Sequence, residues 1–362
     1  LIHNGSNLLT MRFLKYFLLF LLIIVVAASI YLASLDGTYD VKRTRFIPAD
    51  PEVVFNDLND YRNWADWGPW YEEDSTIVAT YAENTVGVGG SYSWTSMDGE
   101  GEMRRLVSAP NERIQSEILF KTPFGDMGSD VYWILEEKEG GTDLTWGMKG
   151  EMPFLTRFMA STMEEQMGPM EERGLELFEA NIKKKMGVYS IENKGVTDYS
   201  GGFYLYVTAS SQISDMNPKF REMMQQVHDY AENNGIRLTG SPFAIYHKFN
   251  QEHGTTMFSV GYPVSERVIV ESDSDVVSGF MKRGSYFKTV LTGSYDHSKE
   301  AWESAIAGAA EPGAYEAIEN GEPFEIYVRQ VDDTPNPAEW ITEIFIPVRL
   351  KPGTQGFSPP GS

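Results

Sequence analysis

The chain has no cysteine. Disulfides, thiolate catalysis and cysteine-bound metals are therefore excluded, and the redox compartment is left open. Histidine is scarce. His3, His228, His247, His253 and His297 are the only five, and none stands at metal-ligand spacing. No metal and no cofactor is expected. Basic residues are few, 30 Lys and Arg against 52 Asp and Glu, for a formal net charge of −22. That balance disfavours nucleic acid and anionic lipid surfaces, and it mildly favours cationic partners. Charge-free apolar runs are rare as well. The long one is Tyr16 to Ala33, eighteen residues. What is present suffices for real cores: 362 residues, 42% hydrophobic and 13% aromatic, suit two domains plus extras.

As a helix, the apolar run spans about 27 Å, close to a bilayer core. One reading is a cleaved signal peptide, with Ala27-Ala28-Ser29 or Ala33-Ser34 at the cleavage site. The run is longer than the usual signal core, which favours an uncleaved anchor over residues 13–35. No cysteine follows it, so a lipoprotein is ruled out. Arg12 and Lys15 precede the helix; Lys42, Arg43 and Arg45 follow it in an expected strand. A short basic N-terminal tail stays in the cytoplasm, so a single-pass membrane protein with extracytoplasmic domains is expected. Met11 reads as a natural start, with the first ten residues as an upstream extension.

Tyr39 to Ile47 alternates like a strand. Asp50 and Pro51 then open a helix as N-cap and first-turn proline, with Val53, Val54, Phe55 and Leu58 on its apolar side. Trp64, Trp67 and Trp70 follow within seven residues, and packing against a sheet is the plain role for at least two of them. From Ser75 to Met152, six strands alternate with turns such as Asp98-Gly99 and Glu139-Gly-Gly141, which predicts an antiparallel meander. Pro153 to Lys185 is helical with an interruption at Gly168-Pro169, and it carries Met170, Leu175, Leu177, Phe178 and Ile182 as an apolar stripe.

This order resembles the START-like superfamily (SRPBCC, or polyketide cyclase/dehydrase) over 38–186. The matching pieces are Pro51-Glu-Val-Val-Phe55, Asp60-Tyr-Arg-Asn-Trp64 with Trp67 and Pro69-Trp70, and the helix through Gly168-Pro-Met and Gly174-Leu-Glu-Leu. The resemblance implies a helix-grip fold, a curved antiparallel sheet wrapped on a long helix around an apolar cavity. No fixed catalytic set carries over, so this half reads as a cavity rather than an active site. Residues 187–200 read as a linker, broken by Gly187, Asn193-Lys-Gly195 and Ser200.

The remainder contains a repeat. Gly240-Ser-Pro-Phe-Ala-Ile-Tyr246 matches Gly321-Glu-Pro-Phe-Glu-Ile-Tyr327 at an offset of 81, and Phe258–Val264 matches Thr342–Val348 at an offset of 84. Each match closes a strand–helix–strand–strand unit, so a pseudo-twofold domain with a ligand cleft is expected. Within Trp340–Val348, read as a strand ended by Pro347, Glu343 is the one charge, sharing a face with Ile341 and Phe345. Ser259 stands at its place in the first half, so the repeated fold does not require the acid. Two readings stand for Glu343: a structural ion pair with Arg329 or Lys288 (or a strand end open to water), and a pocket acid awaiting a cation.

This half resembles the GyrI-like domain, the effector-binding domain of AraC- and MerR-type regulators, over 201–350. The resemblance rests on the block ending at Tyr246, on Thr289-Val-Leu-Thr-Gly-Ser-Tyr295 leading to Trp302, and on Thr342-Glu-Ile-Phe-Ile-Pro-Val348. It implies that Glu343 meets polar or cationic ligands between aromatic walls, with Tyr246, Tyr295, Trp302, Tyr327 and Phe345 as candidates. No DNA-binding helix-turn-helix precedes the domain, so nucleic acid is not an expected partner. The class is α+β. The expected protein is membrane-anchored and binds hydrophobic or cationic small molecules for sensing, sequestration or delivery. One alternative is a hydrolase of electrophilic natural products with Glu343 as general acid or base. Another is a membrane-anchored adaptor for a protein partner. Residues 351–362 read as a disordered tail.

Overall fold

The computed structural model describes residues 5–97, 99–121, 126–250, 253–271, 273–310 and 313–352. Asp98 of the expected turn, and the expected tail beyond residue 352, lie outside them. The chain divides into two compact units, one ending at Lys183 and the other beginning at Lys184. At the start, α1 (Gly5–Ser34) contains an apolar stretch, Phe13–Ser34, of 22 residues with mean hydropathy 2.7 and no burial against the protein. Its length and composition suit a membrane span or a signal sequence alike.

In the first unit β1 (Thr38–Ile47) leads into α2 (Pro51–Asn59). The Asp50 side chain caps α2 by accepting the Glu52 N–H at 2.9 Å, and Pro51 fills the first turn, where no amide is needed. A 3-10 segment at Tyr61–Asp66 and the short α3 (Trp70–Glu73) follow. Then come β2 (Val78–Tyr81), β3 (Ser91–Thr95), β4 (Glu100–Ala109), β5 (Arg113–Lys121), β6 (Met127–Lys138) and β7 (Gly141–Glu151). They form one antiparallel sheet, ordered β1-β7-β6-β5-β4-β3-β2. The expected meander is present, with β1 added beside β7.

The long helix α4 (Met163–Met186) lies on the β1–β7 end of the inner face. Gly168 sits against the Arg43 guanidinium and Gly174 against the Trp146 ring. Arg45 on β1 pairs with Glu179 at 2.5 Å. Pro169 was expected to interrupt this helix, but the helix runs through it. Proline removes one backbone donor there, and packing on the sheet holds the rest of the helix. Where the resemblance implied an apolar cavity, the interior holds Trp67, Trp133, Trp146 and Phe178, none more than 3% exposed. Trp133 and Trp146 stack at 4.6 Å, and Phe178 meets Trp67 edge-on at 5.1 Å.

The second unit begins with β8 (Ser190–Tyr199), inside the stretch expected to be a linker. The breaker Asn193-Lys-Gly195 proves to be a bulge. Gly195 takes φ 83°, and the ladder to β13 slips by one residue there. There follow β9 (Gly202–Gln212), α5 (Met216–Asn233), β10 (Phe243–Asn250), β11 (Thr255–Val264) and β12 (Val277–Met281). The second half repeats the plan with β13 (Gly284–Thr292), α6 (Ser298–Ala310), β14 (Tyr315–Ala317), β15 (Phe324–Arg329) and β16 (Ile341–Leu350). The sheet order is β12-β9-β11-β10-β15-β16-β13-β8, with β14 beside β16. Read from the centre, β10-β11-β9 mirrors β15-β16-β13, the expected pseudo-twofold. β16 continues past Pro347, whose carbonyl accepts the Ile318 N–H at 2.9 Å. Both helices pack on one face, α5 with Val227 against Phe258 and Val260, α6 with Ala301 and Ala305 against Leu291 and Ile344.

Gly174 gives a direct test of the helix–sheet contact, because a Cβ there would overlap the Trp146 ring. Gly174→Ala should cost the first unit about 1–3 kcal/mol of stability through overpacking. Its thermal unfolding midpoint, followed by calorimetry, should fall by several degrees.

Candidate functional site

At the pseudo-twofold axis, β10 and β15 pair antiparallel, with Ala244 opposite Glu325. These are the same position of the two repeats. Two ionised carboxylates facing each other across one strand pair would repel, and here one half carries the acid and the other a small neutral residue. Glu325 is 5% exposed. Its Oε1 accepts the Tyr246 hydroxyl at 2.5 Å and the Tyr327 hydroxyl, and its Oε2 accepts the Trp302 indole N–H at 3.0 Å. Tyr246 and Tyr327 are themselves repeat equivalents, so the two halves close on a single carboxyl.

Burial pushes the Glu325 carboxyl above its ordinary pKa, while the three hydrogen bonds pull it back. No cation among the described residues offsets its burial. Both phenols are pushed well above the ordinary tyrosine value, by burial first and then by the charge of Glu325. The aromatic walls extend outward from this centre. Trp302 on α6 meets Tyr246 edge-on at 5.2 Å, and Phe220 on α5 meets Tyr327 at 4.7 Å. Tyr295 touches Tyr327 at 5.8 Å and Trp340 at 4.7 Å. Thr342, opposite Tyr327 on β16, has a buried hydroxyl with no partner.

The structure thus brings Tyr246, Trp302, Tyr327 and, through Tyr327, Tyr295 together around Glu325. Glu343 and Phe345 are on the other face of the sheet. Phe345 stacks on Phe324 at 4.7 Å, and Phe324 alternates with Glu325 along β15. Glu343 is paired with Lys288 at 2.7 Å, one of the two partners its structural reading named, and the other, Arg329, pairs with Glu339. Ser259, the counterpart of Glu343, accepts or donates to Thr208 at 2.8 Å and His247 at 2.7 Å, and His247 in turn meets Glu322 at 2.7 Å. The acid that sequence reasoning missed had a visible signal. Inside the matched blocks Gly-x-Pro-Phe-x-Ile-Tyr, one half has Ala244 and the other Glu325.

The first unit has a buried acid of a different kind. Glu171 on the inner face of α4 is fully buried, and among the described residues neither carboxyl oxygen has a side-chain hydrogen-bond partner. Burial raises its pKa to about 8, opposed by the Arg43 guanidinium and reinforced by Glu164 and Asp40. The Met148 backbone beside the carboxyl also favours its charged form. The indole N–H groups of Trp67, Trp133 and Trp146 are likewise buried and have no partner among the described residues. A cleft of about 650 Å3 elsewhere on this unit is lined by Tyr39, Asp40, Glu117, Asp130, Lys149 and Glu151 among others, and contains none of these groups. Among the described residues, His228, Asp229 and Glu232 on α5 place ligand atoms within 4.8 Å of one another, but all three are exposed.

Comparison with known proteins follows the same division. Residues 38–183 match the family described as polyketide cyclase / dehydrase and lipid transport, and residues 204–349 match the GyrI-like small molecule binding domain. Among solved structures, the EcmrR C-terminal domain is similar at 16% identity and TM-score 0.39, covering 45% of this chain and 99% of its own. Protein CV1439 from Chromobacterium violaceum is similar at 20% identity and TM-score 0.32, over 40% of this chain and 96% of its own. A protein from Arthrobacter aurescens gives 20% identity and TM-score 0.31, over 40% and 86%. No curated protein matches the chain.

Glu171 sets a pH dependence. Its folded pKa lies above the unfolded value of 4.5, so the folded state holds the proton that the unfolded chain releases. Stability of the first unit should fall as pH rises from about 4.5 to about 8 and then level off. Glu171→Gln should remove that slope, raising the melting midpoint at pH 8 and leaving it nearly unchanged near pH 4.5.

Proposed function

With a polyketide cyclase/dehydrase and lipid transport unit at 38–183 and a GyrI-like small molecule binding unit at 204–349, we propose that this chain is a membrane-held receptor for small molecules. The second unit binds bulky, delocalised cations. The observation that carries this reading is Glu325, a buried carboxyl served by three aromatic donors and, among the described residues, by no cation. Hydrogen bonds alone satisfy its lone pairs but leave its charge uncompensated. A lipophilic cation between Tyr246, Trp302, Tyr295 and Tyr327 supplies the counter-charge, and the ring faces attract it further. Glu343 is not needed for this role, since Lys288 already compensates it.

The apolar helix supports retention at a membrane. Phe13–Ser34 spans about 33 Å as a helix, and none of it is buried against the protein. Lipid around it removes that surface from water. We take the soluble units to lie on the extracytoplasmic side, where they meet ligands before the cell interior does. The role is sensing, sequestration or delivery.

Two measurements test this. Calorimetric titration of the full chain with tetraphenylphosphonium should give affinity that strengthens as pH rises through the Glu325 titration, because the ionised form binds. Glu325→Gln should abolish that pH dependence and weaken binding at least tenfold, the equivalent of about 1.4 kcal/mol. If the variant binds normally but loses turnover of a strained electrophilic substrate, Glu325 is instead a general acid or base beside its two phenols. Intact-mass analysis of membrane-purified protein should find Phe13–Ser34 retained. A mature chain starting after Ser34 would make the helix a signal sequence.

A further inference from the structure

The apolar helix joins the first unit with almost no slack. Only Leu35, Asp36 and Gly37 lie between the end of α1 at Ser34 and the start of β1 at Thr38. Three residues span at most about 11 Å. The join is also tied down. The Asp36 carboxylate accepts the N–H of Thr38 at 3.0 Å and its hydroxyl at 2.8 Å. The Met152 N–H donates to the Gly37 carbonyl at 2.8 Å, and the β1–β7 ladder begins at once with Thr38 opposite Glu151. Pro153 then leads β7 into a 3-10 segment of nine residues, Phe154–Thr162, which packs against α1. Its Arg157 side chain lies directly on Gly37.

This segment has two sides. Met159 and Ala160 pack inward with Val41, Met152 and Met163. Phe154, Leu155 and Phe158 point outward and are 43%, 74% and 52% exposed. Leu155 and Phe158 are one 3-10 turn apart, so they stand on the same side. Single exposed apolar residues are common on any surface, but three large ones on one short segment form a patch that marks a contact surface. Its place in the fold says what covers it. The patch lies beside the point where α1 ends, and α1 carries an apolar stretch long enough to cross a bilayer. Arg157, the one basic side chain of the segment, is already paired with Glu151 at 3.1 Å and sits over the Phe154 ring at 5.7 Å. The contact is therefore apolar and does not call for anionic lipid.

We propose that Phe154–Thr162 is a second membrane contact, an interfacial foot whose Phe154, Leu155 and Phe158 enter the lipid bilayer beside the exit of α1. These side chains lie at the boundary of headgroups and acyl chains, where the apolar side of an amphipathic segment is removed from water. A unit held by α1 alone could swing about residues 35–37. A second contact stops that swing and holds the β1–β7 edge of the first unit against the membrane surface. The foot rests on the reading of α1 as a membrane span and adds how the first unit is seated on the lipid. It is independent of the cation site around Glu325.

Because the chain has no cysteine, an introduced one carries a fluorophore without background. The full chain is placed in phosphatidylcholine nanodiscs with a nitrobenzoxadiazole label on one of three cysteines. Leu155→Cys reports the foot. Ile24→Cys reports the middle of α1. Met97→Cys, 86% exposed and next to β3 across the sheet from β1, reports water. The Leu155→Cys label should emit at shorter wavelength than the Met97→Cys label, and doxyl-labelled lipid should quench it. Phe154→Ser combined with Phe158→Ser should return it to the emission of the Met97→Cys label and remove the quenching, while the Ile24→Cys label is unchanged. Both phenylalanines are exposed, so the far-ultraviolet circular dichroism spectrum should stay the same. Lipid quenching at Ile24→Cys with water-like emission at Leu155→Cys would overturn the foot and leave α1 a membrane span. Quenching at Leu155→Cys that survives the two serines would also overturn it, since tethering alone would then bring the label to the lipid. A shifted emission that doxyl lipid does not quench would mean that protein, such as a second copy of the chain, covers the patch instead. No quenching at Ile24→Cys would overturn the membrane-held reading and the foot with it.

Discussion

One carboxyl at the junction of two repeated halves organises the second unit. Glu325 stands where the central strands of the two repeats meet, and the equivalent tyrosine of each half donates to the same carboxyl oxygen. The symmetry of the backbone makes two such tyrosines converge. The two axial positions face each other, so two ionised carboxylates there would repel. Ala244 is the consequence: a small neutral residue opposite the acid, on a strand otherwise built like its twin. The asymmetry at this centre is thus a single side chain laid on a symmetric scaffold.

The sheet of this unit uses its two faces differently. The helix-covered face holds Glu325 and its donors. The other face carries the stacked Phe324–Phe345 pair, with Lys288 compensating Glu343 and a Ser259–His247–Glu322 hydrogen-bond series at the corresponding place in the first half. Because strand side chains alternate, a residue shift of one decides between a charge already compensated and a charge that is not.

The two buried acids of the chain contrast in the same way. Glu325 has three donors, which favour its charged form against burial. Glu171 has no side-chain donor among the described residues, so burial dominates over the Arg43 charge and the Met148 backbone. The same residue type is therefore pushed up in both units by burial, and only in the second is it pulled back by three side-chain donors.

Local pattern determined much of this protein. Period-two and period-3.6 runs, the Asp50-Pro51 cap, the turn glycines and the internal repeat were enough to lay out two α+β units behind an apolar helix, and the resemblance to the GyrI-like domain implied Tyr246, Trp302 and Tyr327 as residues of interest. These are signals that neighbouring residues carry among themselves. Tertiary structure decided what depends on distant partners. Asn193-Lys-Gly195 reads as a breaker until β13 supplies a ladder in which it is a bulge, and Pro169 reads as a stop until a sheet holds the helix on both sides of it. Glu343 was the conspicuous charge in its strand, but whether Lys288 reached it could not be read along the chain. Glu325 became the uncompensated acid only when β10 and β15 paired, because burial and counter-charge are properties of the space around a side chain and not of its sequence.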